Sequence, residues 1–166
     1  MLSGTAAHAA SSGTPTILVV GDSLSAEYGT GWVNLMQQTI TRSGFDYNVV
    51  NASISGDTTS GGRARLAPLL ERYHPAITIL ELGGNDALRG ISLDLTRSNL
   101  REMIGAARKA GSRVIVVGMR IPPNYGLDYS EQFFTMFSLV AKQEKTGYVP
   151  FLLAGVIEHP DWFQQD

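Results

Sequence analysis

The feature that most limits what this chain can fold into is a rhythm. Five short apolar runs, at residues 16–20, 47–50, 76–82, 113–118 and 148–152, alternate with stretches of helical period. Such alternation is the pattern of βαβ units. Between the runs, Leu100, Met103, Ile104 and Ala107 recur at i, i+3, i+4 and i+7, and Phe133, Met136, Phe137 and Val140 do the same. Each set makes one apolar helix face. Trp32, Met36 and Ile40 share a third face, which reads as core rather than as a ligand stripe.

Strands this apolar on both faces belong in a parallel sheet covered by helices on each side, so the sequence predicts a three-layer, flavodoxin-like α/β domain with a five-stranded parallel sheet. Ligands of such sheets bind at the carboxyl ends of the strands. Gly44 and Gly111 stand where left-handed helix caps are expected. Pro68 is expected to split the third helical stretch into a short turn from about Thr59 and a fresh helix near Ala67. The loop 120–126, with Pro122 and Pro123, is long enough to bind a ligand. After the fifth run 14 residues remain, too few for a closing helix, so the chain is expected to be C-terminally incomplete.

Composition removes several classes. A net charge of −2 without a Lys/Arg cluster leaves no footprint for a phosphate backbone, so nucleic acid is not an expected partner. The absence of cysteine excludes thiolate catalysis and thiolate metal sites. No apolar run is long enough for a membrane span, so no stable membrane insertion is expected. Residues 1–14 carry no Lys, Arg, Asp or Glu, and Ala7-His8-Ala9 has the small-x-small form that signal peptidases cut. Residues 1–14 therefore read as a leader or signal-peptide remnant, pointing to a periplasmic or secreted protein, and 15–166 as the functional domain. Because a basic n-region and an apolar h-region are both missing, an ordinary terminus reads equally well.

Three polar turns follow three successive runs. The first is Gly21-Asp22-Ser23-Leu24-Ser25, a strand-to-helix turn that would lift the Ser23 hydroxyl to the carboxyl edge; its competing reading is a helix cap supplied by Asp22 or Ser23. A G-x-S-x-G elbow is not matched, since residue 25 is Ser. The second turn, Asn51-Ala52-Ser53-Ile54-Ser55-Gly56-Asp57, has small residues that let backbone N–H groups approach a ligand. The third, Glu81-Leu82-Gly83-Gly84-Asn85-Asp86, presents an amide side chain at the same edge. Turn chemistry could explain each alone; all three at one edge favour a site.

Gly21-Asp22-Ser23-Leu24, Gly56 and Gly84-Asn85-Asp86 resemble, in order and spacing, the first three blocks of the SGNH (Gly-Asp-Ser-Leu) hydrolase family. The surrounding residues, with Pro122-Pro123-Asn124-Tyr125-Gly126, are similar to its bacterial thioesterase/lysophospholipase/arylesterase branch. The resemblance implies a serine esterase that hydrolyses acyl esters or thioesters through an acyl-enzyme. Ser23 would be the nucleophile, and the N–H groups of Ser23 and Gly56 with the Asn85 amide would hold the oxyanion. Each such donor is typically worth about 3 kcal/mol in the transition state. No cofactor or metal is implied, and the expected partners are small acyl-ester or thioester substrates.

The family's last block is Asp-x-x-His. Asp166 resembles its aspartate by context, which places the histidine three residues beyond, on a C-terminal segment not present here. His159 does not complete the block, because residue 156 is Val; His8 and His74 read as surface residues. Two further readings stay open. An acyl-binding, catalytically inactive protein would keep the fold without a base, since losing a triad histidine in a serine hydrolase costs about six orders of magnitude in turnover. A phosphate-binding flavodoxin-like domain is disfavoured by the lack of a G-x-G-x-x-G or P-loop pattern and by the acidic Asp22 and Glu27. Ala87-Leu88-Arg89-Gly90 and the Pro122–Pro123 loop are candidates to wall an acyl groove.

Overall fold

A computed structural model describes residues 13–26 and 31–152. The strands are β1 (Thr16–Gly21), β2 (Asn48–Asn51), β3 (Ile77–Glu81), β4 (Arg113–Val117) and β5 (Gly147–Val149). They pair in parallel in the order β2-β1-β3-β4-β5, as the alternating runs predict. The strand order reverses between β1 and β3, the switch point where such sheets open a crevice. The central strands are buried on both faces, while β2 and β5 stand at the two edges and are more exposed.

The helices are α1 (Trp32–Arg42), α2 (Thr59–Tyr73), α3 (Gly84–Leu88), α4 (Leu93–Lys109) and α5 (Leu127–Glu144). The two-residue period of β1 divides the interior. Leu18 and Val20 join Leu66, Leu100, Met103, Phe133 and Phe137 under α2, α4 and α5. Ile17 and Val19 join Val33, Ile79 and Val117 on the face that α1 covers with Trp32, Met36 and Ile40. Phe133 and Phe137 meet edge to face, 5.1 Å between centroids, an arrangement that adds to the area they bury.

Two expectations need correction. Pro68 does not break the third helix: α2 runs unbroken through it. Thr59, Gly62, Leu66 and Leu70 bury one face, and Pro68 lies exposed on the other, where water can serve the carbonyl its missing N–H leaves free. Nor do Asp22 or Ser23 cap α1, whose N-cap is Gly31 with no side-chain hydrogen bond. The glycine caps do appear, Gly44 at φ +79° and Gly111 at φ +83°. Loop 120–126 contains a single 3-10 turn, Pro123–Tyr125. Any closing helix, and residues 1–12 of the expected leader, fall outside the described residues.

Candidate active site

β1 ends against the carboxyl edge and the chain turns at once: the N–H groups of Ser25 and Ala26 both donate to Asp22 O, at 3.2 and 2.8 Å. Asp22 Oδ1 accepts the Leu24 N–H at 3.0 Å, an Asx turn that bends the backbone around Ser23. Ser23 is exposed, with the buried residues Asp22 and Ser25 on either side of the Ser23-Leu24 pair. Gly21 must be glycine, since a Cβ there would meet Glu81 Oε2 and the Ser25 side chain at 2.7 Å.

The other two turns close around the first. The Ile54 N–H donates to Gly21 O at 3.0 Å, docking the β2–α2 loop on the end of β1. Arg65 on α2 locks that loop, with Nε to Asp57 Oδ2 at 2.7 Å, Nη1 to Ala52 O, and Nη2 to Gly21 O at 3.4 Å. Gly56 sits at φ +78°, a left-handed conformation suited to glycine, and its carbonyl accepts from Arg89 at 2.8 Å. The third turn is also the start of a helix: α3 begins at Gly84. Asn85 Nδ2 donates to Asp22 Oδ2 at 3.1 Å and to Asp57 O at 3.0 Å. One amide thus joins all three turns.

Ser23 and Asn85 line one cavity of about 230 Å³, walled by Leu24, Leu88, Ile121 and Pro122, so two of the expected wall segments reach it. Arg89 instead binds the Gly56 carbonyl, and Gly56 is not among the residues that line the cavity, although Asn85 holds the carbonyl of the next residue, Asp57. A roomier groove of about 540 Å³ runs between α4 and α5, along Arg97, Tyr129 and Gln132, away from the strand ends and without any of the three turns. Its position on the outer helices sets it apart from the crevice at the switch point. Among the described residues no group of three His, Asp or Glu is placed to hold a metal.

Asp166 and His159 lie outside the described residues, as does His8. The remaining histidine, His74, is exposed as the C-cap of α2 just before β3, and so at the opposite edge of the sheet.

Sequence reasoning missed the acids beneath the turns. Asp86 is fully buried; it accepts from Thr59 N–H at 2.8 Å, from Thr96 Oγ1 at 3.3 Å and from Thr59 Oγ1, pinning α3 to α2 and α4. Burial, partly offset by the Leu24 N–H and Asn85, holds the Asp22 carboxyl above its usual range. Glu81, also fully buried, shares a 2.5 Å hydrogen bond between Oε2 and Ser25 Oγ, while its Oε1 has no partner among the described residues. Desolvation, with Asp22 nearby, pushes Glu81 up to about 8. A glutamate closing the apolar run Ile77-Thr78-Ile79-Leu80 was the signal available for it.

Residues 19–166 match the GDSL-like lipase/acylhydrolase family. Esterase TesA of Pseudomonas aeruginosa is 51% identical over 145 residues, 85% of this chain and 72% of that protein. The arylesterase of Vibrio mimicus is 40% identical over 162 residues, 95% of this chain and 81% of that one. The crystal structure of the psychrotrophic esterase EstA from Pseudoalteromonas sp., inhibited by monoethylphosphonate, superposes with a TM-score of 0.85 at 36% identity, covering 91% of this chain and 85% of EstA. With its three turns gathered at the switch point and matches of this extent, the chain belongs to the GDSL-like lipase/acylhydrolase family and is an ester hydrolase of that type.

Proposed function

We propose that the protein is a serine esterase that hydrolyses acyl esters and thioesters, of arylesterase, thioesterase or lysophospholipase type, through an acyl-enzyme on Ser23. The observation that carries this reading is the exposed Ser23 at the rim of an apolar cavity it shares with Asn85. The Ser23 oxygen attacks the acyl carbonyl, the alcohol or thiol leaves with a proton, and water then releases the acid by the same route. The oxyanion is held by the N–H groups of Ser23 and Gly56 and by Asn85 Nδ2. Both Nδ2 hydrogens are engaged in the free protein, so one must be handed over as the oxyanion forms.

The Asp-x-x-His pattern assigns the base to a histidine three residues after Asp166, with Asp166 orienting it, on whatever following or separate segment carries that histidine. The acyl chain would lie along Leu88, Ile121 and Pro122. The uncharged residues 1–14, with Ala7-His8-Ala9, support a periplasmic or secreted location.

The test is hydrolysis of a short-chain p-nitrophenyl ester by the full-length protein beside its Ser23→Ala variant. Loss of turnover in the variant is expected; wild-type rate in Ser23→Ala ends this reading. The 166-residue chain assayed in parallel addresses the acyl-binding alternative. Binding without turnover by that chain alone would place the base on another segment.

A further inference from the structure

Glu81 is a costly residue to keep where it is. It ends β3, pairs with Gly21 across the β1–β3 seam, has no exposed surface, and leaves Oε1 without a hydrogen-bond partner among the described residues. A buried carboxyl with an unmet oxygen costs a fold stability, so its retention calls for a role. Its other oxygen holds the nucleophile turn at two points. Asp22, immediately before Ser23, directs its N–H to Glu81 Oε2 at 3.4 Å, and Ser25, two residues after Ser23, bonds the same atom at 2.5 Å. Ser25 is then fixed from two more sides, by Trp32 Nε1 to its Oγ at 3.2 Å and by Asn51 Nδ2 to its carbonyl at 2.7 Å.

We propose that Glu81 is a positioning residue for hydrolysis: from beneath the turn its carboxyl holds the Asp22 backbone N–H before Ser23 and the Ser25 hydroxyl after it, and so sets the direction in which the Ser23 hydroxyl is presented. The inference rests on the reading of Ser23 as nucleophile. Glu81 touches neither Ser23 nor the cavity, so it acts only through the turn.

The charge state of the grip follows from what faces it. From the β1 turn comes the Asp22 carboxyl, and from the α1 side the neutral Ser25 hydroxyl and Trp32 indole. The residues of β4 and its exit past the Leu80↔Val116 pair, Val117 and Gly118, carry no charge. From α3, Asp86 acts on Asp22; from α2, Arg65 is committed to Asp57, Ala52 and Gly21. No cation bonded to Glu81 appears among the described residues. The neutral carboxyl therefore fits the site, whereas an ionised one would stand desolvated beside the Asp22 carboxyl, with no cation among the described residues to offset it, which weakens the grip on the turn.

The experiment is steady-state hydrolysis of a p-nitrophenyl ester by the full-length protein from pH 6 to 9.5, with active sites counted by a phosphonate titrant. The variants are Glu81→Gln, Glu81→Ala, Ser25→Ala and Ser23→Ala. Glu81→Gln, a neutral isostere, is expected to keep kcat within a few-fold at pH 7 and to hold it into the range where wild type declines, near pH 8 and above. Glu81→Ala is expected to lower kcat at least tenfold per titrated site with KM little changed, and Ser25→Ala to lower it less. The proposal is overturned if Glu81→Ala keeps wild-type kcat per site, which would leave Glu81 a purely structural group. It is equally overturned if Glu81→Gln follows the wild-type alkaline decline, or loses as much at pH 7 as Glu81→Ala does. Should Ser23→Ala remain active, both this inference and the nucleophile reading fall; an inactive Ser23→Ala beside wild-type kinetics in Glu81→Ala removes this one alone.

Discussion

On the face packed by α2, α4 and α5, the fully buried groups include Leu66, Leu100, Met103, Phe133 and Phe137, whereas at the carboxyl edge of β1 and β3 the buried groups include the carboxyls of Asp22, Glu81 and Asp86. The two regions meet at Gly83, where an added Cβ would lie 3.0 Å from the Phe137 ring. Each large side chain of the first region gains roughly 1.5–3 kcal/mol by leaving water. Each carboxyl of the second loses solvation that its hydrogen bonds return only in part. The apolar face thus supplies stability, and the polar edge spends part of it to hold three turns in one geometry. Mutations should separate accordingly: changes at the edge should alter rate more than stability, and changes in the core the reverse.

The largest expected effect tests the rate side of that division. Ser23→Ala in the full-length enzyme should reduce turnover by on the order of 10⁶, the loss seen when a serine hydrolase loses its nucleophile. Because Ser23 is exposed, its melting temperature should stay within about 1 °C of wild type. A variant that lost both activity and stability would mean that the turn and the core are one cooperative unit, and the comparison would fail.

Phe133→Ala is the opposite probe. Its ring is fully buried against Phe137, and removing it should cost about 3–5 kcal/mol, read as a fall in the denaturation midpoint. The kcat of the fraction that stays folded should be nearly unchanged. Asn85→Ala lies between the two. Losing one oxyanion donor should cost about 10²–10³ in kcat. Because the same amide bonds Asp22 and Asp57, some stability should go with it, as it does not in Ser23→Ala. Equal losses of stability in the two variants would show that the amide does not join the turns.

The same division governs what could be read from the sequence. The helix faces of α4 and α5 and the parallel strands were legible because burying apolar surface imposes a period on the chain. Leu100, Met103, Ile104 and Phe133, Met136, Phe137 all lie where that period puts them. Pro68 misled because propensity carries no information about which face of a helix meets solvent. Ser23 and Asn85 were found through turn chemistry at a predicted sheet edge, and the cavity brings them together. Glu81, Asp86 and Arg65 were not found as part of the site. Their partners lie on other elements, 27 residues apart for Thr59–Asp86 and 56 for Ser25–Glu81, and no local pattern encodes a contact over that distance.

The smallest expected effect asks whether the edge really holds a neutral acid. Glu81 is raised from 4.5 to about 8 in the folded protein. Below pH 4.5 both folded and unfolded chains keep the proton, and no stability is lost on its account. Between 4.5 and 8 the unfolded chain releases a proton that the fold retains. Wild-type stability should therefore decline as pH rises through this window and level off above it. Glu81→Gln has no proton to lose and should lack that part of the decline. Asp22 is raised as well; it is present in both proteins, so its own decline cancels and only its coupling to Glu81 stays in the difference. The melting temperature of Glu81→Gln minus that of wild type should climb by roughly 5 °C or more from pH 5 to pH 8 and then stay flat. A flat difference throughout would mean that Glu81 is already ionised in the fold. The turn around Ser23 would then be held by a carboxylate, and the edge would not be spending stability in the way that distinguishes it from the core.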